Sequence, residues 1–338
     1  MEGIDDNMDD TCILASIIIP VYNTAPYIEE CLDSIFVCQK TNRMIEVIVV
    51  NDASTDGSLD ILNEYRKRHD FILITQESSG AGGARNTGIN AAHGKYLLFM
   101  DSDDYLEPGS LDALLAYLVC SDADIVEYDY KIINDTERGF CTRVSPPSVV
   151  HGIGQDVFCE WVESGFYHGM IWTRAVLREL IVENQLFFIT DIYHQDAEWS
   201  PKVFAYAKNI CYIPLVLYVY RIRYGSITAQ KTEKIYMDFL HALVSLYNFS
   251  CESWLSSRYV NTLQEKISSR YFSLIYKIKF DHKYNDNMIS ALQKCKYMIE
   301  ASSSFHRRYI YKYFIDILGI RSFYAITCGW KDLLKKHG

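Results

Sequence analysis

The sequence has 338 residues, of which 49% are hydrophobic and 22% are charged, and its formal net charge at pH 7 is −10. This is the composition of a folded globular protein, and it excludes a chain that is disordered over most of its length. A chain of this size corresponds to about two domains and buries enough surface to be stable without disulfides, so we expect most of its 10 cysteines to be reduced and buried.

Charge is distributed unevenly along the chain. The first ten residues carry five carboxylates and no basic residue, unlike a secretory signal. Residues 1–228 hold 16 basic and 34 acidic residues, whereas residues 229–338 hold 17 and 9. No apolar run reaches the ~18 residues of a membrane-spanning helix. We therefore expect a cytoplasmic protein whose acidic and basic parts have different partners.

Four short apolar runs in the first hundred residues have the composition of buried strands: Ile13–Ile19, Val47–Val50, Phe71–Thr75 and Tyr96–Met100. Amphipathic helical patterns lie between or after them, beginning near Pro26, after Asp56 and near Pro108. Alternation of strands and helices at this spacing predicts an α/β fold with a mostly parallel sheet and right-handed crossovers.

The pattern after residue 120 is less regular. Asp124–Ile133 has strand character, Arg138–Ser148 has the polar, proline-bearing composition of a connection, and the chain after Thr228 is helical and rich in tyrosine. We therefore predict an acidic flexible tail over residues 1–12, an α/β domain over residues 13–228 and a basic, tyrosine-rich helical domain over residues 229–338.

Polar residues follow the predicted strands, at the edge where open parallel sheets bind ligands. Neither a G-x-G-x-x-G sequence after the first strand nor a G-x-x-x-x-G-K-[ST] sequence is present, which argues against a typical dinucleotide binder and a P-loop enzyme. The segments that follow the four strands are Pro20–Asn23, Asn51–Gly57, the glycine-rich Gly80–Arg85 and Asp101–Asp104.

Three carboxylates lie within four residues, at Asp101, Asp103 and Asp104. Because they repel one another, they need a cation or hydrogen-bond donors to remain ionised. Mg²⁺ or Mn²⁺ is the simplest cation, since carboxylate and phosphate oxygens are its usual ligands. Taken alone, the cluster fits equally a solvated acidic loop or a helix N-cap before Pro108.

Several segments resemble family 2 glycosyltransferases of the GT-A fold, in matching order and spacing. The resemblance covers about residues 14–228 and implies an α/β GT-A domain, followed here by helices, that takes a sugar from a nucleoside diphosphate, most often UDP. Relatives of this kind build surface polysaccharides such as capsule or O-antigen. The matching segments are Ser16–Asn23, Val49–Ser58, Gly82–Ile89, Phe99–Tyr105, Ile171–Arg174, His194–Trp199 and Tyr218–Thr228.

The resemblance implies a donor site across the strand ends. Tyr22 would stack on the base and Asp52 would accept a hydrogen bond from it, although Asp52 is equally suited to cap its own turn. Arg85 would donate to a nucleotide or phosphate oxygen. The implied donor-binding residues are Pro20, Tyr22, Asn23, Asp52, Arg85, Asp101, Ser102 and Arg223.

Arg223 and its neighbour Arg221 fall in a segment that resembles the mobile loop closing on the diphosphate, and Arg223 is the better candidate because Gly225 follows it. The alternative is that both arginines pair with the acidic sheet edge. For the metal, the resemblance makes Asp103 the direct ligand of Mn²⁺ or Mg²⁺ and Asp101 a ribose or metal-shell contact, while Asp104 stays open.

Transfer also requires a general base that takes the proton of the attacking acceptor hydroxyl. The resemblance implies Asp196, although Gln195 stands where the family usually has another acidic residue. Glu198 is the rival, with a helix N-terminal carboxylate as its structural alternative. Trp172, Arg174 and Glu198 would form the acceptor side; the family usually has lysine where Arg174 stands.

The basic C-terminal part has no chemical motif. Its aromatic and basic residues, such as Tyr309, Arg308 and Trp330, suit peripheral binding to the anionic inner face of the cell membrane, which fits a glycan or lipid-linked glycan acceptor. They suit equally packing on the catalytic domain or on a second subunit, which leaves a homo-oligomer open. No nucleic-acid-binding module is present, so nucleic acid is not an expected partner.

Two other functions remain as alternatives to an inverting, metal-dependent glycosyltransferase. A sugar-phosphate nucleotidyltransferase would carry a glycine-rich, arginine-bearing loop directly after its first strand, where this chain has Pro20–Asn23. A catalytically silent carbohydrate- or nucleotide-binding protein on the same fold would have no need of both Asp103 and Asp196. The sequence does not specify the sugar, the acceptor or the linkage.

Overall fold

The structure, a computed structural model, describes residues 13–37, 44–134, 137–142, 147, 149–223, 232–280 and 286–300. The chain divides into two compact units. The first lies within residues 1–191 and 206–224, and the second lies within residues 192–205 and 225–338. The expected acidic tail and the basic aromatic residues after residue 300 lie outside the described residues. The boundary at residue 229 stays a prediction.

The first unit contains one ten-stranded sheet. Along the chain its strands are β1 (Ala15–Val21), β2 (Ile45–Asp52), β3 (Ile72–Gln76), β4 (Tyr96–Phe99), β5 (Tyr105–Leu106), β6 (Ile125–Asn134), β7 (Glu137–Thr142), β8 (His151–Gly152), β9 (Arg174–Leu177) and β10 (Ile210–Ile222). Each of the four apolar runs, and the strand-like segment after residue 123, overlaps one of these strands.

The sheet is mostly parallel, which confirms the predicted fold class. The strand order is β3-β2-β1-β4-β9-β6-β10-β5, with β7 paired to β6 and β8 paired to β10. Strands β3, β2, β1 and β4 run parallel, as do β6 and β10, whereas β9 runs antiparallel to both of its neighbours. The carboxyl ends of β1, β2 and β4 therefore lie at one edge, where the predicted site residues follow them.

The helices of the first unit are α1 (Ile28–Phe36), α2 (Ser58–Tyr65), α3 (Gly80–Ala91), α4 (Ser110–Val119), α5 (Gly154–Glu163) and α6 (Arg178–Glu183), with a short 3₁₀ helix over Ile171–Thr173. The three predicted helices are α1, α2 and α4. In α1 the apolar spacing turns Ile28, Leu32 and Ile35 into the core, where every residue of β1 is also buried.

Helix α3 packs closely on β1 because Gly88 has no side chain. A Cβ atom at Gly88 would lie 2.3 Å from Cγ2 of Ile18, inside any tolerable contact distance. A Cβ at Gly82, in the first turn, would lie 2.5 Å from the carbonyl oxygen of Ile189. The glycine-rich sequence thus brings α3, and Arg85 within it, against the sheet.

The expectation that Arg138–Ser148 is only a connection is wrong for its first part. Residues Glu137–Thr142 form β7, which pairs antiparallel with β6 and places Cys141 opposite Ile132. Strand pairing is made by backbone groups, so polar side chains at a sheet edge do not prevent it. The cysteine expectation is met in part: six cysteines of the described residues are free thiols, of which three are buried and two are exposed.

The second unit is helical, as the sequence predicted for the C-terminal part. Its helices are α7 (Gln195–Tyr206), α8 (Glu233–Phe249), α9 (Ser257–Phe280), α10 (Asp286–Lys294) and α11 (Tyr297–Glu300). The last residue of α7, Tyr206, is assigned to the first unit. Thr232 caps α8 by accepting a hydrogen bond from the Ile235 amide. Among the helices that the structure describes, none has the length and hydropathy needed to cross a membrane.

Candidate active site

Three of the predicted strand-end segments meet at one edge of the first unit. The Thr24 hydroxyl, just after β1, donates to the Ser102 hydroxyl after β4 across 2.9 Å. The Asn23 side-chain oxygen accepts from the Thr55 amide after β2 at 2.8 Å, and Asn23 adopts a left-handed conformation with φ +53°. These contacts tie the segments that were expected to hold the nucleotide.

Tyr22 and Pro20 differ in accessibility. Tyr22 is 53% exposed, so its ring is accessible to a ligand. Pro20 is buried within β1, opposite Val50 of β2, so it is part of the packed strand end and is not accessible to a ligand. A flat, exposed aromatic ring at a sheet edge is suited to stacking on a base.

Asp52 is buried and caps helix α3. Its carboxylate accepts from the backbone amides of Ser79 at 2.8 Å and Gly80 at 2.9 Å, and from the Gln76 side-chain amide at 2.8 Å. The structure therefore gives Asp52 a capping role. The capped residues begin helix α3, whereas the sequence analysis expected Asp52 to cap the turn Asn51–Gly57. A hydrogen bond donated by a nucleotide base to Asp52 stays a prediction.

Arg85 binds Asp101. Its Nη2 atom lies 2.6 Å from Oδ1 of Asp101, and its guanidinium lies 5.7 Å from the centre of the Phe188 ring. Arg85 is buried, while the Asp101 side chain is 32% exposed. The arginine therefore neutralises the first carboxylate of the acidic cluster from the protein side.

Asp103 binds Arg223. The Arg223 Nε atom lies 2.6 Å from Oδ2 of Asp103, whose side chain is 22% exposed. Arg221 donates from Nε to the Asp103 carbonyl at 3.2 Å and pairs with Glu30 at 2.6 Å. Both arginines therefore pair with the acidic sheet edge, which was the alternative interpretation. A contact from Arg223 to a diphosphate stays a prediction.

Asp104 is buried and forms a hydrogen bond with Tyr218, which was not among the predicted site residues. The Tyr218 hydroxyl donates to Oδ2 of Asp104 at 2.6 Å, and the Arg221 amide donates to Oδ1 at 2.8 Å. Burial, followed by the charges of Asp101 and Asp103, raises the pKa of Asp104 well above its usual value. The signal for Tyr218 was its place at the start of the matching segment Tyr218–Thr228, next to the arginines.

The acidic edge can accept a divalent cation only together with other ligands. Among the described residues, no group of three or more His, Cys, Asp or Glu side chains is placed to hold a metal ion. The partly exposed carboxylates of Asp101 and Asp103 are nevertheless hard oxygen donors, and Mg²⁺ or Mn²⁺ commonly takes one or two such carboxylates and completes its shell with phosphate and water. The residues therefore fit a cation that arrives with a nucleotide.

The two acceptor-side residues of the first unit, Trp172 and Arg174, are buried, and contact of either with an acceptor stays a prediction. Arg174, in β9, lies directly opposite Glu127 of β6, and its Nε atom lies 3.0 Å from Oε2 of Glu127. Because β9 lies inside the sheet, this cation needs a buried counter-charge. The Trp172 ring stacks on Tyr218 at 4.4 Å and on Tyr220 at 5.4 Å. The structure thus gives both side chains packing partners within the protein.

The candidate bases lie in the second unit, in the first turn of α7. Glu198 is buried, forms an ion pair with Lys202 and accepts from the Ser245 hydroxyl at 2.7 Å. Asp196 is half-buried, and the preceding His194 has φ +62° and a pKa lowered by burial. A base role stays a prediction for both carboxylates, and Asp196 is the more accessible of the two.

Comparison with known proteins gives one consistent family. The glycosyl transferase family 2 model matches residues 16–180. The chain is 34% identical over 236 residues to glycosyltransferase GlyA of Streptococcus pneumoniae, covering 68% of this chain and 33% of that protein. It is 31% identical over 226 residues to putative glycosyltransferase EpsH of Bacillus subtilis, covering 65% and 64%. The chain thus spans between a third and just under two thirds of the length of these curated relatives.

Solved structures show the same fold. Staphylococcus aureus TarS 1–349 in complex with UDP-GlcNAc has a TM-score of 0.73 at 22% identity, over 94% of this chain and 92% of that one. A mannosyltransferase from Pyrobaculum calidifontis, PcManGT in complex with GDP-Man and Mn²⁺, has a TM-score of 0.54 at 18% identity, over 96% and 88%. At these identities the likeness establishes the GT-A architecture.

Proposed function

We propose that this chain, which belongs to glycosyl transferase family 2 through residues 16–180, transfers a sugar from a nucleoside diphosphate to a hydroxyl group of a glycan or lipid-linked oligosaccharide. The observation that carries the proposal is the meeting of the exposed Tyr22 ring, the paired Asp101 and Asp103 carboxylates and Arg223 at one sheet edge. A UDP-sugar is the donor we favour, because the related TarS structure contains UDP-GlcNAc.

Donor binding would use groups that the sheet edge already holds. The exposed ring of Tyr22 stacks on the base, while Asn23 and Ser102 hold the strand ends beneath the nucleotide. Arg223 leaves Asp103 and donates to the diphosphate, since a phosphate is as good an acceptor for a guanidinium as a carboxylate. The carboxylates of Asp103 and Asp101 would hold Mn²⁺ or Mg²⁺, which neutralises the negative charge of the departing diphosphate.

Transfer is proposed to invert the anomeric carbon. The acceptor hydroxyl forms a bond to that carbon from the face opposite the diphosphate, while the bond to the diphosphate oxygen breaks. Asp196 accepts the proton of the hydroxyl. Asp196 lies in the first turn of α7 and is only half-buried, so its carboxylate is accessible. Glu198 is less suited, since Lys202 and Ser245 already bind its carboxylate.

The acceptor class and the location of the protein are part of the same proposal. Relatives named as poly(ribitol-phosphate) glycosyltransferases act on a polymer, and this supports a glycan or lipid-linked acceptor in polysaccharide biosynthesis. We propose that the chain meets such an acceptor at the cytoplasmic face of the membrane. The basic C-terminal residues proposed to bind an anionic membrane surface lie outside the described residues.

The proposal is tested with a panel of UDP-glucose, UDP-galactose, UDP-GlcNAc and GDP-mannose in Mn²⁺. Calorimetry measures binding, and release of nucleoside diphosphate measures turnover. We expect at least one UDP-sugar to bind in a Mn²⁺-dependent manner and to be hydrolysed slowly. Binding without turnover, unchanged by Asp196→Asn, would favour the silent binding protein. If no donor binds, both the glycosyltransferase and the silent binding protein are excluded.

A further inference from the structure

The hydroxyl group of Tyr218 joins the two ends of the acidic segment Asp101–Asp104. Its oxygen accepts from the Asp101 backbone amide at 3.0 Å and donates to Oδ2 of Asp104 at 2.6 Å. The segment is closed as a turn by a hydrogen bond from the Asp104 amide to the Asp101 carbonyl at 3.1 Å. One buried oxygen atom therefore fixes both the backbone that leaves β4 and the carboxylate that ends the turn.

The contacts of Asp104 separate it from the two carboxylates beside it. Asp104 is buried and binds Tyr218 and the backbone amide of Arg221, whereas the side chains of Asp101 and Asp103 are partly exposed. Asp104 thus anchors the turn to β10, whereas the carboxylates of Asp101 and Asp103 remain partly accessible to solvent. The distinction depends on the hydroxyl of Tyr218, because a buried carboxylate needs donors.

The ring of Tyr218 is fixed in turn by its neighbours. Trp172 stacks on it with ring centres 4.4 Å apart and planes at 13°, and Tyr220 stacks on Trp172 at 5.4 Å and 10°. Tyr130 meets the Trp172 ring edge-on at 5.0 Å. On the backbone side, β10 pairs with β5 immediately after the acidic turn, with Tyr218 opposite Leu106. These contacts therefore restrain the position of the phenol.

We propose that Tyr218 is a positioning residue for the donor site, supported by Trp172. The hydroxyl sets the backbone of residues 101–104 so that the carboxylates of Asp101 and Asp103 face the diphosphate and its cation. This inference rests on the proposed function. It also gives Trp172 a role through Tyr218, in place of direct contact with the acceptor.

The test replaces Tyr218 by phenylalanine, which removes the oxygen and keeps the ring stack. We expect Tyr218→Phe to weaken Mn²⁺-dependent UDP binding by roughly tenfold or more, since it removes the buried hydrogen bond to Asp104 and the acceptor of the Asp101 amide. KM for the sugar donor rises by a similar factor, and KM for the acceptor does not. Tyr65→Phe is the matched control, because the buried Tyr65 also donates to a carboxylate, Oδ1 of Asp33 at 2.8 Å, which is not part of the acidic turn. It leaves UDP affinity unchanged.

A second pair of variants keeps the inference testable if Tyr218→Phe fails to fold. Asp104→Asn keeps the shape of the side chain and replaces one carboxyl oxygen by an NH₂ group. Trp172→Phe loosens the stack while keeping the hydroxyl of Tyr218. Both are expected to weaken Mn²⁺-dependent UDP binding. In a double-mutant cycle, Tyr218→Phe adds little to Asp104→Asn, because the two residues act as a unit.

The outcomes separate this inference from the function on which it rests. If the wild-type chain binds UDP with Mn²⁺ and Tyr218→Phe binds it equally well, the positioning role is excluded and the proposed function stands. A Trp172→Phe variant that changes only KM for the acceptor would overturn the role given to Trp172. If the wild-type chain binds no UDP with Mn²⁺, the proposed function fails and the positioning role fails with it.

Discussion

The Nε atom of Arg223 lies 2.6 Å from Oδ2 of Asp103. The arginine that we propose to bind the diphosphate therefore neutralises the carboxylate that we propose to bind the metal ion. The same pattern recurs at Arg85 and Asp101, which are also 2.6 Å apart. A guanidinium bound to Asp103 reduces the negative charge that this carboxylate offers to a divalent metal. We therefore expect Arg223 to turn from Asp103 to the phosphate when a metal nucleotide binds.

Replacing Arg223 by glutamine separates these two roles. We expect the affinity for Mn²⁺ alone to rise by up to about fivefold, because a partly exposed ion pair contributes up to about 1 kcal/mol. We expect the affinity for UDP to fall by about tenfold, because a charge-assisted donor is lost. Calorimetry with each ligand in turn measures both changes.

The control for Arg223→Gln is Arg68→Gln, which removes a cation from an exposed pair with Glu29. It should leave both affinities unchanged. A decrease in Mn²⁺ affinity in Arg223→Gln would contradict the competition between the arginine and the metal.

Asp196 and Glu198 are distinguished by comparing activity with stability. Asp196→Asn should reduce turnover by a hundredfold or more, roughly the contribution of a general base, and leave UDP binding and the melting temperature unchanged. Glu198→Gln should lower the free energy of unfolding by about 1–2 kcal/mol, because it removes the buried charge that pairs with the partly exposed Lys202. Initial rates and denaturant unfolding measure the two effects. Loss of turnover in Glu198→Gln alone would reverse the assignment.

The first half of the sheet was predictable from the sequence because its strands are continuous apolar runs separated by amphipathic helices. The position of β9 was not predictable, because the antiparallel insertion between β4 and β6 depends on pairings distant in sequence, such as Arg174 with Glu127. The addition of residues 192–205 to the second unit has the same origin. Local pattern carries no information about such contacts.

The sequence predicted which residues form the candidate site, but it did not predict the contacts that these residues make. The sequence pointed to Asp101, Asp103 and Asp104 together and left the role of Asp104 open, whereas the structure buries Asp104. The reason is the Tyr218 hydroxyl, which lies 114 residues away along the chain. Likewise, the polar sequence around Asp52 predicted a cap but not that the capped residues begin α3.

Helix α3 should tolerate no side chain at Gly88. We expect Gly88→Ala to lower the free energy of unfolding by about 2 kcal/mol, because its Cβ would lie 2.3 Å from Cγ2 of Ile18 and the helix must move off β1. Denaturant unfolding measures the loss. The companion variant Ile18→Ala makes room for the new methyl group, so the double variant should be less destabilised than the sum of the two single variants. Strict additivity would show that the helix and strand are not in the contact described.

Lys266, in α9 of the second unit, should make stability rise with pH. Burial lowers the pKa of Lys266 to about 8 from its usual 10.5, so the folded chain binds this proton less tightly than the unfolded chain. Below pH 8 both states are protonated and the full penalty of less than about 3 kcal/mol applies; the penalty disappears as pH rises toward 10.5.

Lys266→Met removes this ammonium group and tests its effect. At pH 7 the variant should be more stable than the wild-type chain, and the difference should shrink between pH 8 and 10, because deprotonation relieves the same penalty in the wild type. Urea unfolding of both chains at each pH gives the difference, in which the titration of other groups cancels. A difference that stays constant with pH would show that Lys266 keeps an ordinary pKa in the folded chain, and that any gain in stability comes from packing of the methionine.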